Sequence, residues 1–128
     1  MSLANATAVA TLTASDVDRA KAFWTDKLGL TLDPEQGDPG GVVLEAGGGS
    51  KVFIYNSGAP KATNTVVSFK VDDVLATVNE LKRKGVQFES YDMPEIKTDE
   101  NNIATWEEKY HAAWFKDSEG NIICVGDV

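Results

Sequence analysis

A chain of 128 residues has room for one ordinary domain, and at 42% hydrophobic and 25% charged it can bury a core, so neither a disordered nor a membranous protein is expected. Acids outnumber bases 20 to 12, and the net charge of −8 repels phosphate backbones and anionic bilayers, which argues against nucleic-acid and membrane partners. The one cysteine, Cys124, forbids an intrachain disulfide, no basic region precedes the apolar residues of the N-terminus, and no apolar run reaches the ~18 residues of a membrane span, a set of features that suits the cytoplasm.

Thr7 to Thr13 alternates threonine with alanine, valine and leucine and reads as a strand. Ser15 followed by Asp18 is a capping-box-like helix start. Val17, Ala20, Trp24 and Leu28 then recur at helical spacing, and Gly29 is the stop. Thr31 to Asp33 reads as a short strand and Asp33 to Gly41, rich in proline and glycine, as a loop. Val42 to Ala46 and Lys51 to Asn56 are strands joined by a turn at Gly47-Gly48-Gly49-Ser50. No helix and no Gly-Lys-Ser/Thr follows those glycines, so a phosphate cradle is the weaker reading.

Asn56 to Asn64 is a polar linker, and Thr65 to Val71 is the next strand. Asp72 or Asp73 caps a helix with Val74, Val78 and Leu81 on one face, cations Lys82, Arg83 and Lys84 in its last turn, and Gly85 as its stop. Val86 to Glu89 reads as a short strand and Tyr91 to Thr105 as a long polar loop. The last strands, Tyr110 to Lys116 and Asn121 to Val125, flank a turn at Asp117-Ser118-Glu119-Gly120.

This order repeats: strand, capped helix, glycine stop, further strands, once from Thr7 and again from Thr65. It predicts an α+β fold of two tandem βαβββ modules, about 4–58 and 63–128 within a single domain 1–128, laid together as one curved mixed sheet with the helices on its outer face. Alternation divides each strand. Ala8, Ala10 and Leu12, Phe53 and Tyr55, Val67, Phe69 and Val71, and Ile123 and Val125 form a bulky set expected under the helices. The opposite set, including Thr11, Val52, Asn56, Val66, Ser68 and Cys124, mixes apolar side chains with hydroxyl and amide groups, the composition of a small-molecule cleft. Trp106, Tyr91 and Tyr110, in or beside the long loop, are candidates to stack on a flat ligand or to anchor the loop. His111, the only histidine, and Cys124 are weak catalytic candidates, because neither has an orienting partner visible in sequence. Glu95, Asp99, Glu100, Glu107 and Glu108 lack calcium-loop spacing and read as a solvated face.

Three stretches carry a family resemblance. Ala14-Ser15-Asp16-Val17-Asp18-Arg19-Ala20 with Phe23-Trp24 and Lys27-Leu28-Gly29-Leu30, Val71-Asp72-Asp73-Val74 with Leu81 and Lys84-Gly85-Val86, and Phe115 to Ile123 resemble the module openings and closing hairpin of vicinal-oxygen-chelate proteins, the glyoxalase, bleomycin-resistance and extradiol-dioxygenase relatives. Ser118 stands where a proline is common in that hairpin. The resemblance implies a metal ligand on each of four strands. By spacing these positions are Val9, Val52, Val66 and Cys124, a set that cannot hold a divalent cation. The expectation is a binding protein without metal or other cofactor, its partner a planar or hydrophobic small organic molecule, in a homodimer with the cleft at the subunit interface. The alternatives are an enzyme of the same family (a lactoylglutathione lyase-like lyase or isomerase, or a dioxygenase) with a non-standard site, and an accessory or regulatory domain with a protein partner.

Overall fold

The structure, a computed structural model, describes residues 3–34, 40–61 and 63–127. The first half runs β1 (Val9–Ala14), α1 (Val17–Ala22), β2 (Thr31–Leu32), β3 (Gly41–Glu45) and β4 (Lys51–Asn56). The second runs β5 (Thr65–Lys70), α2 (Val74–Arg83), β6 (Ala104–Trp106), β7 (Tyr110–Lys116) and β8 (Ile122–Gly126). Part of the expected loop Asp33 to Gly41, residues 35–39, lies outside the described residues.

Each half forms a four-stranded sheet of the same order, β1-β4-β3-β2 and β5-β8-β7-β6. In each, the first strand pairs in parallel with the last and the other pairs are antiparallel. The repeat read from sequence is therefore a repeat of topology. β1 and β5 lie next to each other, so the two sheets continue into one curved surface. α1 packs on β3 and β4, α2 on β7 and β8, and one apolar cluster joins both halves beneath the helices.

The two helix starts are built alike. Asp16 caps α1 by accepting from Arg19 N at 3.0 Å, and Asp73 caps α2 by accepting from Ala76 N at 3.0 Å. A short carboxylate at this position satisfies one of the amides that the first turn leaves without a partner. The cap thus falls on Asp16 and not on Ser15, whose N–H and hydroxyl are both engaged by Glu119. After Ala22 the helix widens into a π-turn over Phe23–Lys27. Gly29 and Gly85 follow the helices with φ of 80° and 92°, left-handed backbone that favours glycine. On α2 the buried residues are Val74, Val78 and Leu81, the face predicted from spacing.

The edge of the second sheet departs from expectation. Val86 to Glu89 makes only one isolated bridge, Phe88 with Phe115, and the edge strand is β6, which begins within the last residues of the segment expected to be loop. Apolar alternation at Val86 and Phe88 signals burial, not ladder pairing. β6 is held by its hairpin to β7, whose tight turn places Glu107 and Glu108 at φ of 51° and 61°.

A buried polar clamp joins the halves. Asp117 accepts from Trp24 Nε1 at 3.0 Å, from Asn121 Nδ2 at 2.9 Å and from the N–H groups of Glu119 and Asn121. Asn121 donates onward to Thr13 O at 3.0 Å. Glu119, its side chain fully buried, accepts from the N–H groups of Ser15 and Asp16 at the start of α1 and from Arg19 Nε at 2.7 Å. Among the described residues no buried side-chain nitrogen or oxygen lacks a partner. No helix of the described residues is long and apolar enough to cross a membrane.

Candidate functional site

The face of the curved sheet away from the helices is the candidate site. On β1, Leu12 and Ala14 are buried under the helices, while Val9, Thr11 and Thr13 face the other way. The parallel register sets Ala10 opposite Val52, Leu12 opposite Ile54 and Ala14 opposite Asn56. Partners across a ladder share a face. Val52 and Ile54 therefore go into the core, at 2% and 0% exposure, and Asn56 lies at the strand end on the same side. Phe53 and Tyr55 join Thr11 and Thr13 on the inner face, with their rings stacked 5.7 Å apart. This reverses the face expected for β4: alternation along one strand cannot say which set is inward, and both sets here are apolar enough to be core.

In the second sheet the expected faces hold for β8 and for most of β5. Val67, Phe69, Ile123 and Val125 pack against the core, with Ala113 and Phe115 of β7. Val66 sits at a bulge between Thr65 and Val67 and is 46% exposed. Two rows of cross-strand partners make the inner surface. One is Ser68, Cys124 and Trp114, and the next is Lys70, Gly126, Ala112 and Ala104. The small residues of the second row leave a depression, and the aromatics stand around it. Trp106 is held by a bond from Nε1 to Glu95 O at 3.1 Å, and its ring meets Trp114 edge to face at 6.2 Å. Tyr91 meets Trp114 in the same manner at 5.5 Å. The resulting cleft, about 340 Å³, is lined by Ser68, Lys70, Trp106, Ala112, Cys124 and Gly126 among others. That volume is at the small end of the ligand-pocket range.

The structure thus brings Ser68, Trp106 and Cys124 together and sets Thr11 on the inner face of the neighbouring sheet. Val52 and Asn56 lie on the other side of β4. Lys70, Trp114, Ala112, Gly126, Phe53 and Tyr55 were not singled out as site residues. The signal for the first four is the pairing register, which no single strand carries.

Burial pushes the Cys124 thiol above its ordinary range, with a hydrogen bond from Ser68 opposing in part. The group is protonated at neutral pH and suited to lining a cleft rather than to attack. His111 borders the cleft and a second cavity of about 220 Å³ near Asp72 and Asp73. Its N–H donates to Asp127 Oδ1 at 2.7 Å and its Nδ1 lies 2.7 Å from Asp127 Oδ2. These contacts, the backbone N–H first, hold the Asp127 carboxyl below its usual range. Asp127 is the orienting partner that sequence spacing could not reveal. Of the loop acids, Asp99 is used structurally, accepting from the N–H groups of Asn101 and Ile103. Tyr110 lies under the Lys109 ammonium, 5.0 Å from the ring centre.

The positions where the family resemblance places metal ligands do not fit a divalent cation. Val9, Val52 and Val66 carry no donor, and Val52 points into the core. Replacing Val52 by its inward neighbour supplies Phe53, again without a donor. Among the described residues no three of His, Cys, Asp and Glu converge as an ion would need.

With this geometry in place, the comparisons settle the class of protein. The chain belongs to the glyoxalase/bleomycin resistance protein/dioxygenase superfamily, whose family model matches residues 6–125. No curated protein matches the sequence. Among solved structures, UcmS2 superimposes with a TM-score of 0.70 at 20% identity, covering 95% of this chain and 97% of that one. The antibiotic-binding protein TnmS3 from Streptomyces sp. CB03234 gives 0.66 at 20% identity, covering 98% and 97%. Lactoylglutathione lyase from Agrobacterium tumefaciens gives 0.65 at 22%, covering 95% and 92%. At such identities the likeness establishes the shared fold alone, and an antibiotic-binding protein and a lyase both carry it.

Proposed function

We propose that this protein binds a small, flat organic molecule in the inner cleft of its second sheet, without a metal, as a sequestering protein rather than an enzyme. One observation carries the reading: the strand positions that face inward present small residues, hydroxyls and aromatic side chains, and among the described residues no converging set of metal donors. A slot floored by Gly126 and Ala112 and walled by Trp106, whose ring is braced edge to face by Trp114, accepts a ring system face on. The likeness to TnmS3, an antibiotic-binding protein, supports this reading. The same proposal includes a cytoplasmic homodimer. Val9 and Val66 are 44% and 46% exposed on or beside the inner surface, and a second copy closing over them completes the cleft.

The test is calorimetric titration of dialysed protein with fused-ring aromatic compounds, alongside elemental analysis of the same sample. Saturable binding at one site per chain in metal-free protein is the expected result. A stoichiometric divalent ion that survives dialysis against a chelator, or turnover of hemithioacetals that depends on such an ion, overturns it.

A further inference from the structure

We propose that the cleft selects flat aromatic molecules that carry an anionic group, and that Lys70 is the residue that reads that group. The inference rests on the binding reading above and deepens it. Lys70 closes the row Lys70–Gly126–Ala112–Ala104 at the end nearest the first sheet. The three residues beside it in that row have no side chain beyond a methyl, so the floor runs flat up to the lysine. Lys70 is exposed and lines the cleft. Its ammonium makes no ion pair among the described residues, whereas Arg19, Lys51 and Lys116 are each matched to a carboxylate.

Of the other cleft residues, Ser68, Phe69, Trp106, Ala112, Cys124 and Gly126 are uncharged and His111 is already engaged with Asp127, so Lys70 sets the sign of the charge that the slot accepts. The overall charge of −8 acts against anions at a distance, but beyond about 8 Å salt screens it, while a ligand in the slot lies in direct reach of the lysine. A ring with a carboxylate or phenolate on its edge therefore stacks against Trp106 and presents its charge to Lys70. A flexible lysine in partial contact with water contributes a modest preference, roughly two- to fivefold.

The experiment uses the full chain and two probes of the same ring system and nearly the same shape, one anionic and one neutral, 2-naphthoate and 2-naphthamide, titrated by calorimetry into wild type, Lys70→Met and Ser68→Phe. Wild type is expected to bind the carboxylate about two- to fivefold more tightly than the amide. That preference is expected to shrink as ionic strength rises from about 0.01 M to about 1 M. Lys70→Met is expected to bind the two probes equally, and Ser68→Phe, which fills the slot, to bind neither. Equal binding of both probes by wild type, or a preference that survives both salt and Lys70→Met, overturns the role of Lys70 and leaves the binding reading standing. Binding of neither probe by wild type overturns both.

Discussion

Replacing Glu119 by Gln tests the clamp that orients one half of the curved sheet on the other. The Glu119 carboxylate is fully buried and takes hydrogen bonds from Ser15, Asp16, Arg19 and Ser118. The Arg19 guanidinium, against the opposing effect of burial, brings its pKa down from 4.5 to about 2. At about 1.4 kcal/mol per unit, a shift of that size corresponds to roughly 3 kcal/mol of stability. Arg19 is 54% exposed, so solvent screens its share, and about 2 kcal/mol is the expected cost of the substitution.

The sign follows from the depressed value. The contribution is complete above pH 4.5, where the unfolded chain is also ionised, and is lost as pH falls through about 2. Urea unfolding at neutral pH therefore shows a midpoint shift worth about 2 kcal/mol in Glu119→Gln, and the gap between variant and wild type narrows steadily below pH 4.5. A variant within about 0.5 kcal/mol of wild type at neutral pH, or one that keeps the full acid dependence of wild type, refutes the argument.

Two further substitutions separate structural from functional parts. Trp24→Phe removes the donor to Asp117 Oδ2 and shrinks a side chain with no exposure, and should cost about 2–3 kcal/mol in urea unfolding without changing the fold seen by far-ultraviolet circular dichroism. His111→Ala, by contrast, releases an imidazole that is 40% exposed from Asp127, which water can then hydrate, and should cost less than about 1 kcal/mol in the same assay.

Local chemistry made much of this molecule legible. The helix faces Val74, Val78 and Leu81, the stops at Gly29 and Gly85, and the doubled order of elements all follow from periodicity and backbone preference, which act within a few residues. What stayed hidden depends on which strand lies beside which. Whether Val52 or Phe53 faces inward is decided by the parallel pairing of β4 with β1, and β6 exists as a strand because β7 pairs with it. The cleft itself is a product of register: Lys70, Gly126, Ala112 and Ala104 are scattered over the second half of the sequence and become one floor only across four strands. Side-chain patterns determined what each segment would be, and long-range hydrogen bonding determined which residues would meet.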